Sequence, residues 1–310
     1  MARYFISGGA GFIGSHLVER LLNNGEVTVY DNLSSGKKGF IAQHLRRDNF
    51  QLIKADLLEL DTLAGAMKGH GVVFHMAANP DIRMSARDTG LDLRQGALVT
   101  YNVLEAMRVN GIKELVFASS STVYGETPIK PIPEDYGPLQ PVSLYGASKL
   151  ASEGLITAFC HLFGIQAWIF RFANVVGRRA THGVVFDFIN KLKQNDKELE
   201  ILGDGTQQKP YIHVEDCVKG ILYGFQHADG QVNVFNLGSN SSTMVSTIAR
   251  VLVNEMGLPD VAFKYTGGKQ GWPGDVPRVR FDTSRMQQLG WKPRFTSDEA
   301  VRQAIKDMLV

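Results

Sequence analysis

Tyr145 and Lys149 stand four residues apart in the run Tyr145-Gly146-Ala147-Ser148-Lys149. On a helix, that spacing puts both side chains on one face. A tyrosine ionises near ~10 in water, too high for a base at neutral pH. A fixed ammonium beside it favours the phenolate, which can then take a proton from a substrate hydroxyl. A third polar group is available at Ser119-Ser120-Ser121, which follows the apolar run 115–118. A serine hydroxyl there can share a hydrogen bond with Tyr145 and a substrate. The chemistry these residues suggest is general-base removal of a proton from a substrate hydroxyl.

The start of the chain offers a second kind of site, one for a dinucleotide. Phe5-Ile6-Ser7-Gly8-Gly9-Ala10-Gly11-Phe12-Ile13-Gly14 reads as a strand, a tight glycine turn and a helix N-terminus. Such a turn presents bare backbone N–H groups and a helix dipole to a phosphate. Asp31 follows Gly14 by 17 residues, at the end of a second strand over 26–30. A carboxylate there accepts from a ribose 2′-hydroxyl and repels a 2′-phosphate, which favours NAD over NADP. Lys37 and Lys38 close behind it pull the other way. Asp56 ends a third strand, over 50–53, where an adenine edge would lie.

Further strands are expected over 72–76, 115–118 and 167–172, each short and apolar as strands buried on both faces are. Helical patterns separate most of them, over 61–67, 98–109 and 148–163. This alternation predicts an α/β fold, a doubly wound parallel Rossmann sheet with a smaller C-terminal α/β substrate domain. The boundary is placed near Asn174, giving a cofactor domain over 1–174 and a substrate domain over 175–310, some segments of which are expected to return to the sheet. Later helices are expected over 186–193, 216–227, 244–255 and 297–308, among longer loops such as 267–275.

Composition narrows the function further. The chain has 310 residues, 44% hydrophobic and 21% charged, with a net charge of +2. That balance gives no reason to expect a nucleic-acid or membrane partner. No apolar run approaches the roughly 18–20 residues of a membrane span. Cys160 and Cys217 both fall in apolar helical patterns and are expected to be buried thiols. No Cys or His spacing suggests a metal site. With the first strand beginning beside Met1, a cytoplasmic protein is expected.

Taken together, the motifs resemble the extended short-chain dehydrogenases/reductases. They are the glycine turn, Asp31-Asn32-Leu33, His75-Met76-Ala77-Ala78, the run from Ser119 to Gly125, the Tyr145/Lys149 pair, the run from Arg171 to Gly177 and the run from Tyr211 to Asp216. They are most similar to NAD-dependent sugar-nucleotide epimerases of the UDP-glucose (UDP-galactose) 4-epimerase type. The resemblance implies Tyr145 as the base at a sugar 4-hydroxyl, with Lys149 holding the nicotinamide ribose. It implies Ser120 as the catalytic hydroxyl, with Ser121 and Thr122 as near alternatives. For NAD it implies Gly8, Gly11, Phe12, Ile13, Gly14, Asp31, Asn32, Asp56, Leu57, Ala77, Ala78, Tyr145, Lys149 and Phe172. For a UDP-hexose it implies Ser120, Tyr145, Asn174, Val185, Leu202, Lys209 and Asp275. It also implies a homodimer built on the 98–109 and 148–163 helices, with Met107, Leu150 and Ile156 on their outer faces.

Several positions depart from the family pattern. Lys209-Pro210 stands where many relatives have Arg-Asp, and Trp272 where an epimerase has Arg before Gly274-Asp275. Lysine is a point charge, whereas arginine grips a diphosphate with two parallel bonds. The diphosphate grip is therefore expected to pass to Arg178, Arg179, His182 or Arg278. Gln95-Gly96-Ala97 lacks an asparagine that the family places near the cofactor. Dehydratases and decarboxylases of this scaffold carry an acid at about the position of Thr122, so epimerisation is the expected outcome. A nucleotide-sugar reductase or dehydratase is the alternative, followed by a non-catalytic NAD-binding regulator.

Overall fold

The computed structural model describes every residue except Pro273, and the side chains of all others except Arg83 and Ala86. In chain order the first strands are β1 (Ala2–Ser7), β2 (Gly25–Tyr30), β3 (Phe50–Ile53), β4 (Val72–His75), β5 (Glu114–Ser120), β6 (Gln166–Phe172) and β7 (Asn174–Val176). They are followed by β8 (Glu198–Ile201), β9 (Gln208–Lys209), β10 (Tyr211–His213), β11 (Val232–Leu237), β12 (Thr243–Met244) and β13 (Ala262–Tyr265). The helices are α1 (Phe12–Leu21), α2 (Leu60–Met67), α3 (Val99–Val109), α4 (Leu144–Phe163), α5 (Val184–Gln194), α6 (Val214–His227), α7 (Val245–Glu255), α8 (Ser284–Gln288) and α9 (Ser297–Leu309).

Seven strands form one parallel sheet in the order β11-β6-β5-β4-β1-β2-β3. The order reverses between β1 and β4, and ligands of such sheets bind at the carboxyl ends of the strands beside that switch. The register lines those ends up. Ser7 pairs with Tyr30 on one side and His75 on the other, Tyr30 pairs with Ile53, and His75 pairs with Phe117. Gly8, Asp31, Met76-Ala77 and Ala118–Ser120 therefore leave the sheet along a single edge. One face of the sheet is covered by an apolar layer that includes Leu63, Met67, Val103, Met107 and Ile156, against Phe5 and Phe117. Elsewhere Phe225 packs edge-on against Phe74 and Trp168, with ring centroids 5.6 and 4.8 Å apart. Each such aromatic contributes about 1.5–3 kcal/mol by leaving water.

The chain divides into two compact units. The first is Met1–Val123, Leu144–Arg171 and Ile221–Phe235; the second is Tyr124–Ser143, Phe172–Gly220 and Asn236–Val310. The chain passes between them at Arg171–Phe172 and at four other places along the sequence. It then returns to the sheet through β11, so the units interleave along the sequence. In the second unit α5, α7 and α9 enclose a core of Val185, Phe188, Leu199, Ile201, Ile248, Leu252, Val301 and Ile305. β8 alternates exposed and buried residues, the signature of a strand with one face on a core. A capping box of Thr296 and Glu299 starts α9. Within this unit Asn236 ties loops together: it accepts from Tyr124 Oη at 2.7 Å and donates to the carbonyls of Ile132 (2.9 Å) and Asp282 (3.0 Å).

Two local expectations are corrected. α4 begins at Leu144, ahead of the expected start at Ser148, so Tyr145 and Lys149 both lie within it. Met107 and Ile156 belong to the core instead of an outer face; both are fully buried. The exposed apolar residues of these helices and their ends are Leu98, Tyr101, Val109, Leu144, Leu162 and Phe163.

Candidate active site

The glycine turn is shaped by close approach. Gly8 has φ +73°, and a Cβ there would lie 2.6 Å from the Ala77 amide nitrogen. Only glycine lets β1 turn this tightly beside the end of β4. Gly14 is packed against the Gly8 carbonyl in the same way. Gly11 caps α1 without a side chain, and no acidic residue lies in the first turn. The helix's first N–H groups and its positive dipole end are thus left to an outside anion.

Asp31 closes this turn. Its two carboxylate oxygens accept from the Ala10 and Leu33 amides, both at 2.9 Å. Burial pushes its pKa up, and these two N–H bonds pull it back. Each oxygen retains a second lone pair for a further donor. Asn32 Nδ2 donates to Asp56 Oδ2 at 2.9 Å, and Asp56 Oδ1 accepts from the Leu58 amide at 2.9 Å. The Leu57 carbonyl accepts from Asn102 Nδ2 at 2.9 Å. Gly8, Asp31, Asn32, Asp56, Leu57 and Ala77 are thereby brought to the carboxyl ends of β1 to β4. Phe172, in the second unit, ends β6 and is buried.

At the end of β5, Ser120 Oγ accepts from the Thr122 amide at 3.2 Å and from Thr122 Oγ1 at 3.0 Å. A hydroxyl has two acceptor lone pairs and one proton. With both lone pairs engaged, Ser120 has its proton left to give, and its bond to Tyr145 lowers the phenol's pKa. Ser120 therefore donates to Tyr145. Thr122 is the residue bonded to it from within the same turn.

Lys149 is 3% exposed and donates to the Ala118 carbonyl at 2.7 Å. Its Nζ lies 5.8 Å from the Tyr145 ring centroid and 4.7 Å from that of Phe117. Burial drags its pKa down to about 8, against the charges of Glu153 and Asp92, which raise it. Tyr145 is pushed up to about 12, first by burial and then by Asp92, with Ser120 opposing. The expected lowering of Tyr145 is thus reversed in the chain by itself: burial outweighs the hydrogen bond from Ser120, and a further positive charge is needed before the phenolate forms.

The second unit gathers Leu202, Lys209 and Asp275. Lys209 Nζ donates to Asp275 Oδ1 and lies 4.7 Å from the Trp272 ring centroid. Asp275 Oδ2 accepts from the Gly271 amide at 3.0 Å. Lys209 is therefore already neutralised by a carboxylate that is 2% exposed, and Trp272 stacks on the cation instead of standing in for an arginine. Asn174 is exposed, with its amide on the Pro210 carbonyl at 3.2 Å. The Val185 side chain belongs to the core of this unit. Arg278 is exposed and bridges Gln208, next to Lys209.

Sequence reasoning missed Asp92 and Asn102. Asn102 lies on α3 among apolar positions, which is itself a signal: a buried amide there must bond something. Asp92 precedes a π-helical stretch, Leu93–Leu98, that leads into the helix expected over 98–109.

The uncapped α1 end, the glycine cradle and the unfilled lone pairs of Asp31 fit a dinucleotide, with the pyrophosphate at α1 and a ribose at Asp31. Comparison with known proteins agrees. The model of the NAD dependent epimerase/dehydratase family matches residues 4–238. A putative UDP-glucose 4-epimerase of Methanocaldococcus jannaschii is 34% identical, over 98% of this chain and 97% of its own. The crystal structure of a UDP-galactose 4-epimerase is 38% identical at a TM-score of 0.88, covering 98% of both chains. A UDP-glucuronic acid 4-epimerase variant from Bacillus cereus, solved with NAD and a fluorinated UDP-sugar, is 28% identical at a TM-score of 0.89, again over 98% of both chains. The chain belongs to the NAD-dependent epimerase/dehydratase family of extended short-chain dehydrogenases/reductases. Its cofactor is NAD.

Proposed function

We propose that this chain is a nucleotide-sugar 4-epimerase acting on UDP-glucose and UDP-galactose. The observation that carries the reading is Thr122 bonded twice to Ser120, which donates onward to Tyr145. This arrangement serves proton exchange at one hydroxyl, and it leaves a threonine already engaged where an eliminating enzyme of this scaffold has an acid.

Tyr145 removes the proton of the sugar 4-hydroxyl and returns it in the second half of the cycle. Ser120 steadies the phenolate by the hydrogen bond it donates, a contribution of about 10²-fold for one well-placed donor. Lys149, anchored on the Ala118 carbonyl, holds the nicotinamide ribose and supplies a positive charge near the phenol. When bound, NAD supplies a hydride acceptor that can give the hydride back, together with the ring charge that brings Tyr145 into range. Leu202 and the Lys209–Asp275 pair serve the nucleotide end, with Arg278, exposed and bridged to Gln208, as a cation for the diphosphate.

Purified protein with UDP-galactose should form UDP-glucose with no net consumption of NAD. Stoichiometric oxidation of NAD(P)H, or a product that has lost water, would instead support a reductase or a dehydratase. The exposed apolar residues of α3 and α4 support a homodimer; a monomer mass in solution at micromolar concentration would contradict it.

A further inference from the structure

A chain of buried hydrogen bonds runs from the glycine turn toward the helix that carries Tyr145 and Lys149. Ser7, the last residue of β1, pairs across the sheet with His75, the last residue of β4. Paired residues on neighbouring strands point to the same face, and Ser7 Oγ lies 2.6 Å from His75 Nδ1. On its other side the ring reaches α3, with Nε2 3.1 Å from Thr100 Oγ1. Thr100 Oγ1 in turn donates to the Gly96 carbonyl at 2.8 Å. Ser7 and His75 are fully buried and Thr100 is nearly so, which leaves these groups to satisfy one another.

The direction of each proton in this chain follows. Thr100 has one hydroxyl proton and gives it to the Gly96 carbonyl, so toward the ring it can only accept. His75 therefore carries its proton on Nε2. The ring is neutral, because full burial and the Lys149 charge push its pKa down to about 3. Its Nδ1 is then bare, and Ser7 donates to it. A histidine suits this place because its two ring nitrogens take opposite roles, one accepting from β1 and the other donating to α3.

The far end of the chain meets α4. Gly96 lies in the π-helical stretch Leu93–Leu98, which packs on α4. A Cβ at residue 96 would lie 2.5 Å from Ser148 Oγ and 2.9 Å from Ser148 Cβ, so the Gly96 backbone rests directly on that side chain. Ser148 Oγ donates to the Tyr145 carbonyl at 2.9 Å. From Ser7 to Tyr145 every step is a hydrogen bond or a close contact. π-Helical turns are rare and concentrate at functional sites.

We propose that His75 and Thr100 are positioning residues for Tyr145. They hold the π-helical turn against Ser148 and so fix the first turn of α4 relative to the glycine turn. The proposal rests on the reading of Tyr145 as the base that works opposite a bound dinucleotide.

The test is side-chain NMR of cofactor-free, substrate-free protein at neutral pH, with His75 and Tyr145 assigned through their backbone signals. The nitrogen-15 signals of wild-type His75 should show one proton, on Nε2. Thr100→Val keeps the shape of residue 100 but removes the acceptor of that proton. The ring should then change tautomer, with Nδ1–H donating to Ser7, and the Tyr145 Cζ signal should move. Thr100→Ser keeps the hydroxyl and should leave both signals as they are in the wild type. In turnover of UDP-galactose, kcat should fall about tenfold in Thr100→Val with KM in place, and should recover in Thr100→Ser. A wild-type proton on Nδ1 or on both nitrogens would overturn the proposal. So would a tautomer, a Tyr145 signal or a kcat unchanged in Thr100→Val, equal changes in the two variants, or a Thr100→Val chain that does not fold. Absence of epimerase activity in the wild type would count against the functional reading and leave the NMR signals to decide this one.

Discussion

Thr122 donates to Ser120 twice, from its amide at 3.2 Å and from its hydroxyl at 3.0 Å. The direction of the Ser120 proton follows from those two bonds. Thr122→Val keeps the shape and the amide bond but removes the hydroxyl, so Ser120 can rotate. Steady-state kinetics with UDP-galactose should show kcat down about tenfold with KM little changed. Ser120→Ala should lose about 10²-fold, because the donor itself is gone. Equal effects of the two substitutions would mean that Thr122 acts directly and not through Ser120.

Lys149 gives the fold a pH signature. Its pKa is about 8 in the folded chain, against an ordinary lysine value of 10.5. Between those values the unfolded chain binds more protons than the folded one, so this group's contribution to stability rises with pH there. Below pH 8 its cost is fully present. Denaturant midpoints measured from pH 7 to 10 should therefore rise in the wild type relative to Lys149→Met. A constant difference across that range would contradict the assignment.

Lys209 is predicted to matter more to folding than to phosphate binding. Lys209→Met would leave Asp275 buried with the Gly271 amide but no cation, at a cost of about 3 kcal/mol. Arg278→Ala, in contrast, should leave the melting temperature in place and raise KM for the UDP-sugar several-fold, because uniform binding is lost without loss of chemistry. Calorimetry and kinetics on the two variants separate these outcomes.

Asp31 should set the choice of dinucleotide. Asp31→Asn removes the charge that repels a 2′-phosphate while leaving an oxygen for one of the two amides it now receives. NAD affinity should fall about tenfold, and the discrimination against NADP should largely disappear. Titration calorimetry with both dinucleotides checks this.

Much of the site is written in local pattern. The glycine turn, Asp31 at a strand end, the serine run and the Tyr145/Lys149 spacing each depend on residues a few positions apart, and the sheet follows from repeated apolar strands. Contacts across the chain are less legible. Gly96 looks like a simple helix breaker until a π-helical turn, Leu93–Leu98, brings it against Ser148 of α4. Lys209 looks like a phosphate cation until Asp275, 66 residues on, is seen to hold it. Met107 and Ile156 were expected outside because an apolar residue on a helix does not say which of two layers it faces. β11 lies far along the chain from β6, the strand it joins, and falls in the stretch expected to form the second domain, so nothing local marks it as part of the sheet.

The central claim is that Ser120, Tyr145 and Lys149 exchange a proton at the C4 hydroxyl of a nucleotide sugar while the hydride leaves and returns. The most direct measurement is proton NMR of UDP-galactose incubated with the purified chain and a trace of NAD, in parallel with Tyr145→Phe. The account predicts equilibration with UDP-glucose, no accumulation of reduced cofactor and no dehydrated product, with a rate lower by about 10²–10⁴-fold in the variant. Failure to interconvert UDP-galactose, UDP-glucose, their N-acetyl forms or UDP-glucuronate, or a Tyr145→Phe chain as fast as the wild type, would contradict it.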